Sequence, residues 1–227
     1  MAIPPPPADH VLSGLPTKLF SELFGKGRPV SLKAGQPLFM SGDPSNGCYR
    51  LDEGLLKVSV ITATGGERIL AILGPGAIVG ELSMLDGTAR SASVEALRES
   101  KLCFISSAVF EAFADTHAEL YRHGMMLLAR RLRATNEALV AATFMSLKGR
   151  VARVLLSLAE AFGHPVGTGR TLIRQKVTQT DLAAMAGISR ENVSRILAHW
   201  MRDAAVSRLA GYYCLENRAA IERELDV

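Results

Sequence analysis

Two groups of residues in this chain carry charge in patterns that can do chemistry. The first runs Ser189-Arg190-Glu191-Asn192-Val193-Ser194-Arg195. At helical period Arg190, Glu191 and Ser194 share one side, with Arg195 one turn beyond Glu191. An arginine fork matches the O6 and N7 acceptors of guanine, and a carboxylate accepts from cytosine N4. Each good pair contributes roughly 1–3 kcal/mol of base discrimination. A carboxylate opposes binding that is purely electrostatic, so Glu191 argues for reading of sequence. The bland alternative is a surface ion-pair set of Arg190, Glu191 and Arg195. The second group is Gly80-Glu81-Leu82 followed by Arg90-Ser91-Ala92. Glycine permits close backbone approach, and a guanidinium offers a fixed fork of donors to phosphate oxygens. A glutamate in this apolar setting must be paired or must accept from a ligand hydroxyl. Spacing alone leaves a structural Glu81–Arg90 ion pair as an equal reading.

The first group needs a scaffold, and the flanking sequence supplies one. Thr178 is a good N-cap with Asp181 three residues on, an approximate capping box. Leu182, Ala183 and Met185 form the inner side of a short helix, and Gly187 provides the positive φ that a sharp turn requires. Ser189 caps the next helix, whose apolar face is Val193, Ile196, Leu197 and Trp200. This is a helix-turn-helix, whose second helix enters the major groove with its first turns. Thr178, Gln179, Ser189, Arg190, Glu191, Ser194 and Arg195 are its candidate DNA-binding residues. Val206 to Glu216, with Gly211-Tyr212-Tyr213, reads as a two-stranded wing.

Charge distribution agrees. The net charge is +4. Residues 1–145 hold 14 basic and 14 acidic side chains, whereas residues 146–227 hold 12 and 8. The whole excess lies in the last third, which points to a polyanionic partner.

The second group lies in a different kind of sequence. After a short helical stretch over residues 8–28 (Leu15, Leu19, Leu23, Phe24), short aliphatic runs alternate with glycine-bearing turns from Val30 to about Phe110. That rhythm predicts an antiparallel barrel or sandwich. Beyond Ser106 the period turns helical. Tyr121, Met125, Leu128, Leu132, Thr135, Leu139 and Ala142 form a heptad seam on a helix of about 30 residues. A second copy of the chain is the simple partner for such a seam; the alternative is packing on its own barrel. Ser146-Leu147-Lys148-Gly149 reads as a hinge, Arg150 to Phe162 as an amphipathic helix, and Gly163 to Gly169 as a loop. The fold class is thus α+β, in three parts: 1–115, 116–145 and 146–227.

Several function classes are disfavoured. Hydrophobic residues make up 48% and charged residues 21%, which is globular composition. The apolar run near Leu70 to Leu85 is broken by glycines, Pro75 and Glu81, so no bilayer span is expected. The N-terminus lacks the basic and apolar regions of a signal peptide. Cys48, Cys103 and Cys214 are too few and too dispersed for a disulfide framework or a metal cluster. A cytoplasmic protein without membrane contact or metal is expected. Glu81 has no histidine or aspartate placed to orient it, so an enzyme is disfavoured.

Taken together, these motifs resemble the cAMP receptor protein (catabolite activator)/fumarate-nitrate regulator family of bacterial transcription regulators over about residues 30 to 215. Gly80-Glu81-Leu82 with Arg90-Ser91-Ala92 is similar to the family's phosphate-binding cassette. The turns at Gly35, Gly42-Asp43, Gly54 and Gly76 match the same β-roll. The resemblance implies a jelly-roll-like cyclic-nucleotide-binding β-roll, a long dimerisation helix and a C-terminal winged helix-turn-helix. It implies that Glu81 binds the ribose 2′-hydroxyl, that Arg90, Ser91 and the Gly80–Leu82 backbone hold the cyclic phosphate, and that Arg131 supports them. Thr135 and Asn136 fall where the family's base-contacting pair lies. Asn136 replaces the serine of the cAMP-specific pattern, and its amide both donates and accepts, so cAMP and cGMP are both compatible. Ser146 replaces the hinge aspartate. Implied partners are double-stranded DNA with pseudo-palindromic TGTGA-like half-sites, a second copy bound through residues 116–145, and RNA polymerase. Within the family, response to haem, redox state or another small molecule, or constitutive activity, is the alternative. An iron–sulfur sensor needs cysteine ligands that the N-terminal segment lacks.

Overall fold

The computed structural model describes residues 17–62 and 65–225. They form two compact units that meet within one long helix, between Ala134 and Thr135. The start of the predicted lead-in helix, including Leu15, lies outside the described residues.

The first unit begins with α1 (Thr17–Phe24), followed by β1 (Arg28–Leu32), β2 (Pro37–Phe39), β3 (Gly47–Glu53), β4 (Leu56–Ile61), β5 (Glu67–Leu73) and β6 (Ile78–Val79). A short α2 (Glu81–Asp86) interrupts the strands, which resume as β7 (Ser93–Ala96) and β8 (Ser100–Ser106). All pairings are antiparallel and build two four-stranded sheets, β1-β8-β3-β6 and β2-β7-β4-β5. Leu32, Leu51, Val79 and Leu102 from one sheet meet Leu56, Val94 and Ala96 from the other in a shared core. The alternation of inward and outward residues in the sequence therefore produces the predicted β-roll. A second cluster joins Leu19, Leu23 and Phe24 of α1 to Cys48, Ile78, Cys103 and Ile105. It also takes in Phe113 from α3 (Ser107–Ala114) and Leu120 from α4 (Glu119–Phe144).

Helix α4 is the heptad helix, 26 residues long. Its seam residues Met125, Leu132 and Leu139 are 64%, 62% and 65% exposed in the single chain. Within the first unit, Met125 and Leu132 are not covered by the β-roll.

The second unit takes up the chain at Thr135. The helical break is narrower than predicted: Ser146 is the N-cap of α5 (Leu147–Phe162), its hydroxyl accepting from the Gly149 amide at 3.0 Å. Leu147 to Gly149 are therefore helical rather than hinge. The predicted loop at 163–169 is partly a strand pair, β9 (Gly163–Pro165) with β10 (Thr171–Ile173). After α6 (Gln179–Ala186) and α7 (Arg190–Arg202), the wing strands β11 (Val206–Leu209) and β12 (Tyr212–Leu215) complete a sheet ordered β11-β12-β10-β9. Residues 218–225 fold as α8 (Arg218–Glu222) and one turn of 3-10 helix. No described helix is long and apolar enough to cross a membrane.

Candidate functional site

In the helix-turn-helix, local signals dictate geometry. The Thr178 hydroxyl accepts from the Asp181 amide at 3.0 Å, and the Asp181 carboxylate accepts from the Thr178 amide at 2.8 Å. That reciprocal box fixes where α6 starts. Gly187 ends it at φ 66°, and its amide donates to the Ala183 carbonyl at 2.8 Å. Leu182, Ala183 and Ala186 are buried, while the predicted Met185 is only half-buried. Ser189 caps α7 by accepting from the Asn192 amide. The predicted inner face of α7, Val193, Ile196, Leu197 and Trp200, is buried.

Burial of that face leaves Arg190, Glu191, Ser194 and Arg195 exposed on the other side, with Thr178 exposed and Gln179 half-buried at the start of α6. Arg195 donates to Asn192 within its own helix. The Glu191 carboxyl is held below the usual carboxylate range by its own backbone amide, the Ser189 hydroxyl and the two flanking arginines. It is an anion at neutral pH, available as an acceptor. Sequence reasoning passed over Lys176 and Arg208. Lys176 Nζ stands 5.4 Å over the Tyr212 ring, and Arg208 lies 5.4 Å over Tyr213. Both are exposed cations at the wing, and a basic residue near adjacent tyrosines was the available signal.

In the β-roll the structure brings Gly80, Glu81 and Arg90 together. Gly80, at φ 82°, is the N-cap of α2 and contributes no side-chain cap to it. A helix start capped only by backbone presents amide donors, the arrangement that favours anions. Glu81 and Arg90 are each 4% exposed. Arg90 Nη1 donates to the Gly80 carbonyl at 2.7 Å, and the Glu81 charge lies close enough to act on the guanidinium. The Arg90 guanidinium stacks 4.3 Å from the Phe39 ring centroid and 6.0 Å from that of Tyr49. Among the described residues its buried Nε–H has no hydrogen-bond partner. Burial lowers its pKa from the ordinary arginine value, opposed by Tyr49, Cys48, Glu81 and Asp43.

The Arg90 backbone is clamped as well. Its amide donates to Asp43 O at 2.9 Å, and its carbonyl accepts from the Gly42 amide at 2.8 Å. The Ser83 hydroxyl ties α2 to the same segment through Ala89 O at 3.1 Å. Leu82 and Ser91 are exposed at the rim. Thr135 and Asn136 are exposed, consecutive positions of α4, and the Arg131 side chain lies outside what is described.

Behind Glu81 the Cys48 thiol is pushed up to about 12 by burial, with the Glu81 charge adding to the effect. Cys103 and Cys214 are also buried, and burial raises both. Among the described residues no group of three or more histidine, cysteine or acidic side chains is placed to hold a metal.

Comparison with known proteins matches two segments of the chain. Residues 29–117 match the cyclic nucleotide-binding domain, and residues 149–224 match the Crp-like helix-turn-helix domain. The chain is 34% identical over 191 residues to the cyclic AMP receptor protein of Thermus thermophilus, covering 84% of each. It is 31% identical over 188 residues to the CRP-like cAMP-activated global transcriptional regulator of Mycobacterium tuberculosis, covering 83% of this chain and 84% of that one. Its fold matches the structure of the c-di-GMP responsive global regulator CLP of Xanthomonas campestris with a TM-score of 0.76 at 22% identity, over 89% of this chain and all of that one. A cyclic nucleotide-binding β-roll and a Crp-like helix-turn-helix, on a chain this similar to those relatives, make it a member of the CRP/FNR family of DNA-binding transcription regulators rather than an enzyme.

Proposed function

We propose that this chain is a homodimeric, sequence-specific transcription regulator in the cytoplasm, controlled by a cyclic nucleotide: cAMP, with cGMP also accommodated. The observation that carries the reading is Arg90. It is a buried cation with an unsatisfied N–H, set against the Gly80 backbone at the start of α2. A cyclic phosphate satisfies that donor and restores the counter-charge that burial removed. In this reading Ser91 and the Gly80–Leu82 amides take the remaining phosphate oxygens, Arg131 supports them, and Glu81 accepts from the ribose 2′-hydroxyl. Thr135 and Asn136 meet the base, one from each protomer. The Asn136 amide serves adenine N6 and N7 or guanine O6.

The seam supports the dimer. Met125, Leu132 and Leu139 are large apolar side chains facing solvent at heptad spacing, which a second α4 would cover. Two such protomers set their α7 helices about 34 Å apart, one turn of duplex. Arg190, Glu191 and Arg195 then read TGTGA-like half-sites, with Thr178, Gln179, Ser189 and Ser194 positioning the backbone. RNA polymerase is the partner on that DNA. A ligand that takes the active state from 1% to 99% must favour it by about 5.5 kcal/mol. Two nucleotides bridging the seam divide that between them.

The test is isothermal titration of nucleotide-free protein with cAMP and with cGMP, beside an Arg90→Ala variant. Micromolar binding lost in the variant supports the reading, and the ratio of the two affinities reports what Asn136 accepts. Absence of heat and of any thermal shift with both nucleotides turns the search to another effector or to constitutive activity.

A further inference from the structure

The last residues of the chain engage the recognition helix from behind. Ile221 is fully buried, and Arg218 reaches Glu160 of α5 at 3.3 Å. At Glu224 three contacts converge. Its Oε1 accepts from the indole Nε1–H of Trp200, in the last turns of α7, at 3.2 Å. The same oxygen lies 4.0 Å from Lys148 Nζ, in the first turn of α5. Its backbone carbonyl packs so closely on Gly149 that a Cβ there would come within 2.8 Å. A carboxylate beside the opening turn of a helix is favoured by the helix dipole. Next in the same turn, Arg150 Nη1 reaches the Gly187 carbonyl, just ahead of α7, at 3.5 Å. The first turn of α5 therefore contacts the turn that precedes the recognition helix directly, and the last turn of that helix through Glu224.

We propose that Glu224 is a positioning residue for DNA recognition, locking α7 to the first turn of α5 so that the two helices move as one block. The bond to the indole is what matters, so an amide in place of the carboxylate preserves it: a glutamine Oε1 still accepts. Trp200 is the sole tryptophan of the chain, so its emission reports on this contact without labelling.

The experiment compares full-length wild type, Glu224→Ala and Glu224→Gln. Hydrogen exchange by mass spectrometry and acrylamide quenching of Trp200 read the lock; fluorescence anisotropy with a duplex carrying two TGTGA half-sites, against a scrambled duplex, reads recognition. In Glu224→Ala, exchange is expected to rise over residues 196–202 and 147–150 with strands β1–β8 unchanged, and quenching to increase. Affinity for the half-site duplex falls about tenfold, the scale of one lost hydrogen bond. Glu224→Gln recovers all three. Unchanged exchange in α7, or a rise spread evenly over residues 147–225 that glutamine does not rescue, overturns the proposal. The anisotropy arm alone rests on the half-site reading. Wild type that fails to prefer that duplex counts against that reading, and the exchange result then decides the lock by itself.

Discussion

A Cβ on residue 80 would fall 2.3 Å from Arg90 Nη1, the nitrogen that donates to the residue 80 carbonyl. A side chain at position 80 therefore requires the Arg90 guanidinium to move. Gly80→Ala meets that overlap and also a φ of 82°, a strain of about 1–3 kcal/mol. The expected outcome is a lowered melting temperature together with loss of cyclic-nucleotide binding by titration.

Arg190→Ala tests the reading head. The side chain is exposed and off the core face of α7, so folding is expected to be unchanged. Preference for a TGTGA duplex over a scrambled one falls by about 1–3 kcal/mol. Competition anisotropy at fixed salt measures it, because phosphate contacts alone vary strongly with ionic strength.

Leu132→Glu places a charge on the seam. Leu132 is exposed within the protomer, so the single chain loses little, while a packed α4 pair would bury two like charges. If α4 pairs as proposed, sedimentation shows a dimer for wild type and a folded monomer for the variant.

The wing carries a pH dependence. The Arg170 and Ser207 hydrogen bonds hold the Glu216 carboxyl well down, at about 2 from an ordinary 4.5. A carboxylate depressed on folding stabilises the fold fully above its unfolded pKa, and that contribution fades as pH falls toward the folded one. Arg170→Ala is therefore less stable than wild type at pH 7. The gap narrows as pH drops from about 4.5 toward 2, read by denaturant unfolding at each pH.

Local chemistry was the legible part. Thr178, Gly187 and Ser189 specify caps and a turn within a few residues of themselves, and α6 and α7 begin and end as those residues dictate. The β-roll was equally readable, because alternation and glycine turns act at short range. The Glu81–Arg90 relation was not. Spacing placed both at one site, yet the bond from Arg90 to the Gly80 carbonyl depends on how α2 folds back. The β9–β10 pair was masked by Gly163 and Pro165, residues that read as loop. Pro165 is tolerated because β9 is the edge of its sheet. The tail gave no signal, since the partners of Glu224 lie 24 and 76 residues back along the chain, at Trp200 and Lys148.

The buried thiols have a practical corollary. Burial pushes the Cys48 thiol up to about 12, so it stays protonated at neutral pH, and Cys103 and Cys214 are likewise buried and shifted upward. Maleimides and mild oxidants need an accessible thiolate. The native chain is therefore expected to give a low background in site-specific labelling: a single cysteine introduced at Ser194 or Ser91, both exposed, should take a fluorophore or spin label with the natural three left in place.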